Sequence, residues 1–139
     1  MKERDKRALA KWQAYCEDIQ NEVPVDVGLS VAEKQAKLAH LEANPVEWIR
    51  FFLPNFAKYE FAPFHLAFID RILANDEWFE VLSWSRELAK STLTMMVVMY
   101  LTLTRRKKNV ILASATEDSA IKLLRPYMRE FECNGRIKA

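Results

Sequence analysis

SWSRELAKST, residues 83–92, joins a short apolar run, FEVLSW at 79–84, to a long hydrophobic one, LTMMVVMYLTL at 93–103. Its reading decides the fold. If 79–84 is a strand and 93–103 a helix, Lys90 and the hydroxyl residues Ser91 and Thr92 stand where strand gives way to helix. Free backbone N–H groups and the helix dipole favour an anion there. The Lys-Ser pair carries little alone, because a chain with this many lysines, serines and threonines yields one by chance. Arg86 adds a second cation. Trp84 and Ala89 occupy the positions at which phosphate-gripping loops ordinarily carry glycine, whose use is close backbone approach and positive φ. The same residues also suit an ordinary exposed turn with Arg86, Glu87 and Lys90 as solvated charges.

The flanks extend the first reading. Residues 93–103 are apolar on both faces, Leu93, Met96, Val97, Tyr100 and Leu101 on one and Met95, Val98 and Met99 on the other, so the helix is expected to be buried all round. NVILASAT, residues 109–116, is a second β-rich run. Strand, loop, helix and strand over about 37 residues is the order and length of a right-handed βαβ crossover in a parallel sheet. The basic turn at 105–108 is a solvated connection or a DNA contact.

Upstream the pattern is helical. Leu9, Trp12, Cys16 and Ile19 recur at helical spacing from Arg4 to about Gln20. A linker at 22–30 holds Pro24 and Gly28. Ser30 and Glu33 then form a capping box for a helix to about Ala43. Asn44 and Pro45 open a helix carrying Trp48, Ile49, Phe52 and Leu53. Pro63 opens another, with His65, Phe68, Ile69 and Ile72 on one face. Thr116 starts a last helix to about Phe131, with Glu117 and Asp118 at its positive end, and Pro126 predicts a kink or break near Leu123.

With 139 residues, half of them hydrophobic, the chain has enough apolar material for a core. Its 21 basic and 19 acidic side chains leave a net charge of +2, too balanced for nucleic-acid binding by bulk electrostatics. Cys16 and Cys133 lack metal-ligand spacing and are expected as free thiols in a reducing cytoplasm. No apolar stretch is long enough for a membrane span, and the charged N-terminus does not resemble a signal peptide.

The stretch VLSWSRELAKSTLTMMVVMYLTLTRRKKNVILASATEDSAIKLL resembles the start of the ATPase domain of the large terminase subunit of tailed bacteriophages and prophages. That family has a deviant Walker A loop matched here by Ser85, Arg86, Glu87, Leu88, Ala89, Lys90, Ser91 and Thr92. The lead-in RFFLPNFAKYEFAPFHLAFIDRIL is also similar, with Phe61, Pro63 and His65 at the positions that border the adenine; many relatives carry glutamine at that of His65. The resemblance covers about residues 44–135. It implies an α/β fold, N-terminal helices followed by the first βαβ unit of a P-loop NTPase with an incomplete parallel sheet. Residues 1–43 would be a helical lead-in and 44–139 the truncated N-terminal portion of the ATPase domain. ATP and Mg2+ are the implied cofactors. Lys90 would hold the outer phosphates, Ser91 the metal, and Arg86 a phosphate or a neighbouring acid. Double-stranded DNA, the portal protein and the small terminase subunit are the implied partners of a homo-oligomeric motor in the host cytoplasm.

No acid-tipped strand or acidic nuclease cluster follows, so no catalytic residue is assigned. The chain is expected to be inactive alone and, with unpaired strand edges, prone to aggregate. Two alternatives stay open: a portion of a helicase-like or kinase-like P-loop protein, and a non-enzymatic helical interaction protein whose Trp48, Phe51, Phe52, Phe64 and Phe68 are packing or partner contacts.

Overall fold

A computed structural model describes residues 3–25 and 28–138 of the protein. Asp26 and Val27 of the predicted linker, and the terminal Met1, Lys2 and Ala139, lie outside the described residues. Seven helices make up the regular structure among the described residues: α1 (Glu3–Glu22), α2 (Val31–Ala43), α3 (Pro45–Phe52), α4 (Pro63–Ala74), α5 (Lys90–Leu103), α6 (Glu117–Cys133) and α7 (Gly135–Lys138). The chain divides into two compact units, one of residues 1–37 with 111–139 and the other of residues 38–110.

The expected α/β architecture is not what forms. Among the described residues there is no strand, hence no βαβ unit and no parallel sheet. Residues 79–84 and 109–115 are irregular, and no ladder of backbone hydrogen bonds joins either to another segment. A strand exists only through a partner that takes up its N–H and C=O groups, and among the described residues no backbone pairs with these two runs in that way. Phe79 and Ile111 are each 91% exposed and Val81 71%, although their hydropathy suits a sheet interior.

The local signals for helices did translate into structure. Ser30 and Glu33 make both halves of the capping box, Glu33 N–H donating to Ser30 Oγ at 3.3 Å and Ser30 N–H to Glu33 Oε2 at 2.8 Å. Thr116 caps α6 by accepting from Ser119 N–H at 3.3 Å. Asn44 behaves otherwise. Its side chain does not cap α3; its amide donates to His40 O at 2.8 Å, satisfying a carbonyl in the last turn of α2. Pro126 lies inside α6, which continues through it to Cys133 without a break.

In the unit of residues 38–110, α3 packs on α5. Leu93, Met95, Met96, Val97, Met99, Tyr100 and Leu101 of α5 are all buried, as a helix apolar on both faces requires. Trp48 lies at 4.6 Å from Phe52 and edge-on to Tyr100 at 5.4 Å between ring centres, and Tyr100 Oη donates to Glu42 O at 2.7 Å. Trp48, Phe52 and Phe68 are therefore core residues.

In the unit of residues 1–37 and 111–139, α1 packs on α6 around Ile19, Val23 and Cys133, with Trp12 and Tyr15 against them. Arg129 lies over the Tyr15 ring at 4.3 Å. Cys16 and Cys133 are not free thiols: they form a disulfide, their Cα atoms 5.0 Å apart. Helix packing brings together two cysteines 117 residues apart in sequence, a proximity that spacing alone does not reveal.

Candidate functional site

The loop at 85–92 follows the irregular residues 75–84 and ends inside the first turn of α5. Residues 86–88 turn, and two non-glycine residues there have left-handed backbone, Glu87 at φ 68° and Ala89 at φ 55°. For an L-residue that conformation costs about 1 kcal/mol or more. Such strain persists only where the surroundings over-determine it, and it clusters at functional sites. Ala89 takes the conformation for which a glycine is ordinarily used, and the residue is exposed.

Ala89 is also the residue before α5. Its carbonyl accepts from Leu93 N–H at 2.8 Å, and no side chain caps the helix. The N–H groups of Lys90, Ser91 and Thr92 thus end the helix without an intrahelical acceptor, as first-turn donors do. Ser85, Arg86 and Ser91 are exposed and Lys90 half-buried, with its ε-amine donating to Trp84 O across the loop.

Trp84 does not obstruct this geometry. Its indole leaves the loop and packs against α4, with ring centres 5.0 Å from Phe64, 5.5 Å from His65 and 5.9 Å from Phe68. Only its carbonyl faces Lys90. The position lacks a glycine, yet the bulk of the residue is spent on a neighbouring helix.

The structure brings the two predicted motifs together. Phe61 lies edge-on to His65 at 6.3 Å, Pro63 opens α4, and His65 Nε2 is 3.1 Å from Leu88 O in the loop. Arg50 lies over Phe61 at 5.7 Å and pairs with Glu60 at 2.5 Å. Phe64 and Phe68, read from sequence as packing or partner residues, prove to be the platform for Trp84. Their spacing of four on a helix was the signal available.

Ser91, at the exposed mouth, offers one hydroxyl oxygen for a hard cation. No group of three or more His, Cys, Asp or Glu among the described residues is placed to hold a metal ion. A magnesium ion here would draw its remaining ligands from phosphate oxygens and water, as such ions commonly do.

Other features carry less chemistry. An open concavity of about 430 Å³ lined by Glu3, Arg4, Arg7, Ala8 and Lys11 runs along a single charged helix, where long side chains flank an alanine. In the basic turn, Arg105 adopts φ 59° just beyond α5, Arg106 covers Tyr100 at 5.4 Å, and the Lys107 amine donates to Asp76 O. Two of its four cations are thus engaged within the fold, one on α5 and one on the segment after α4. Glu117 and Asp118 occupy the first turn of α6. Among the described residues no helix is long and apolar enough to cross a membrane.

Comparison of the chain with protein-family models, with curated proteins and with solved structures gives no match.

Proposed function

We propose that residues 85–92 bind the phosphates of MgATP, and that the chain is the ATP-binding portion of a large terminase subunit, the motor that packages double-stranded DNA into a phage capsid. The observation that carries the reading is Ala89, left-handed where a phosphate loop needs glycine, immediately ahead of an uncapped helix and the Lys90 amine. Donors at the start of α5 and the helix dipole suit an anion. In this reading the Lys90 amine exchanges the Trp84 carbonyl for the outer phosphates, Arg86 meets phosphate from the exposed turn, and the Ser91 hydroxyl takes one coordination position on magnesium. Phe61 and Pro63 border the base. ATP supplies the phosphoryl group; the chain's own residues supply position and charge.

The partners that follow are those of a packaging motor in the host cytoplasm: duplex DNA, the portal protein, the small terminase subunit and further copies of the chain. In a reducing compartment the disulfide between Cys16 and Cys133 faces thiol exchange. Binding of MgATP is the property this reading predicts for the chain.

Titration of the full chain with MgATP tests the reading. Lys90→Ala removes one charge-assisted contact and is expected to weaken binding roughly tenfold to a hundredfold. Equal affinity in the variant, or no binding by the wild-type protein, sinks the proposal.

One observation favours a second reading, a helical interaction protein. Ile121, Leu124, Met128 and Phe131 recur along α6 and each is at least 40% exposed, an apolar stripe of the kind that partners cover. The same titration separates the two readings.

A further inference from the structure

Resting on the phosphate-binding reading of the loop, we infer that His65 is a positioning residue for residues 87–89 and not a contact for the base. Two hydrogen bonds fix its role. Ala62 N–H donates to Nδ1 at 3.2 Å, so in the neutral ring the hydrogen resides on Nε2. That nitrogen then donates to Leu88 O at 3.1 Å. Both polar atoms of the ring are thereby used, one on the start of its own helix and one on the loop, and neither is left over for a base edge.

The target of the second bond matters. Leu88 lies between Glu87 and Ala89, the two left-handed residues of the loop, so its peptide is held between two strained positions. Backbone of this kind relaxes unless its surroundings hold it. The imidazole is itself held, with ring centres 4.2 Å from Phe64 and 5.5 Å from Trp84. Because the Lys90 amine grips Trp84 O at the other end of the loop, the turn is anchored at two carbonyls, and His65 is the anchor supplied by another helix. Without it the 87–89 backbone is free to relax, and the N–H groups of Lys90 and Ser91 lose their common direction. His65 touches no phosphate in this arrangement; it acts through Leu88.

The experiment compares His65→Phe, which keeps an aromatic ring without either hydrogen bond, with His65→Gln, which restores a donor and an acceptor. Each full-length variant is titrated with MgATP and with inorganic tripolyphosphate, which has no base, and amide exchange is followed at residues 88–91 without ligand. Melting curves establish that the variants fold. The expected result is that His65→Phe weakens both ligands about tenfold, His65→Gln recovers to within about threefold of wild type, and exchange accelerates only in His65→Phe. Weakened MgATP with unchanged tripolyphosphate makes His65 a base contact and overturns the inference, as does unchanged binding of both. If the wild-type chain binds neither ligand, the phosphate reading fails by itself, and exchange alone judges His65: faster at 88–91 in His65→Phe upholds the anchor, equal rates remove it.

Discussion

The ε-amine of Lys90 donates to the carbonyl oxygen of Trp84, six residues earlier, and closes the loop into a ring. The contact places a cation over the start of α5 while the indole of the same Trp84 is drawn onto Phe64, His65 and Phe68. One residue thus serves the loop with its backbone and packs on α4 with its side chain. That division keeps the bulk of the side chain away from the turn that its carbonyl helps to close.

The left-handed backbone at Ala89 predicts an unusual response to mutation. Ala89→Gly removes strain of about 1–2 kcal/mol and gives back part of it as extra freedom of the unfolded chain. A net gain of roughly 0.5–1 kcal/mol, seen as a higher melting temperature, is expected. Ala89→Val goes the other way. A less stable glycine variant contradicts the left-handed assignment.

The disulfide between Cys16 and Cys133 ties α1 to α6 across 117 residues of sequence. Restricting the unfolded chain over a loop this long is worth up to about 5 kcal/mol, and disulfides typically deliver about 2–4 kcal/mol. Dithiothreitol or Cys16→Ser should lower the melting temperature by a matching amount, and alkylation followed by mass spectrometry should find no free thiol before reduction. Two alkylated cysteines in the untreated protein would remove the cross-link from the fold.

Tyr100 is buried and donates to Glu42 O. Tyr100→Phe leaves that carbonyl without its donor and should cost about 1 kcal/mol. Burial, ahead of any neighbouring charge, raises the Tyr100 pKa above the usual phenol value. A raised folded pKa means the contribution is complete below the ordinary value and disappears as pH climbs through the raised one. Alkaline unfolding should therefore occur at higher pH in Tyr100→Phe, measured against its own stability at neutral pH.

Glu33 accepts from the hydroxyl and the N–H of Ser30, and these bonds hold its carboxyl below the usual range. A depressed folded pKa gives stability that is present above the ordinary carboxylate value and lost as pH falls through the lowered one. An NMR titration should find Glu33 among the more acidic glutamates, and Ser30→Ala should return it toward the ordinary value. No movement in that variant would show the capping box to be absent in solution.

Helix starts were legible because they depend on a few adjacent residues. Ser30 with Glu33, Thr116 before Glu117, and proline at the first position of α3 and α4 act within one turn. The two-sided burial of α5 was legible for a similar reason, since eleven residues with apolar side chains on both faces have no solvated side to present. The loop motif was legible as residue types; Ala89 in a glycine conformation and Trp84 folded back on α4 were not, because both depend on what packs beside them.

The sequence by itself determined where the chain turns helical, since propensity, capping and hydropathy act over a few neighbouring residues. Only the tertiary structure decided that 79–84 and 109–115 form no sheet, that Cys16 meets Cys133, and that His65 reaches Leu88. Each of those outcomes needs a partner distant in the chain, and a ladder, a cross-link or a hydrogen bond has no existence until packing delivers that partner to within a few ångströms.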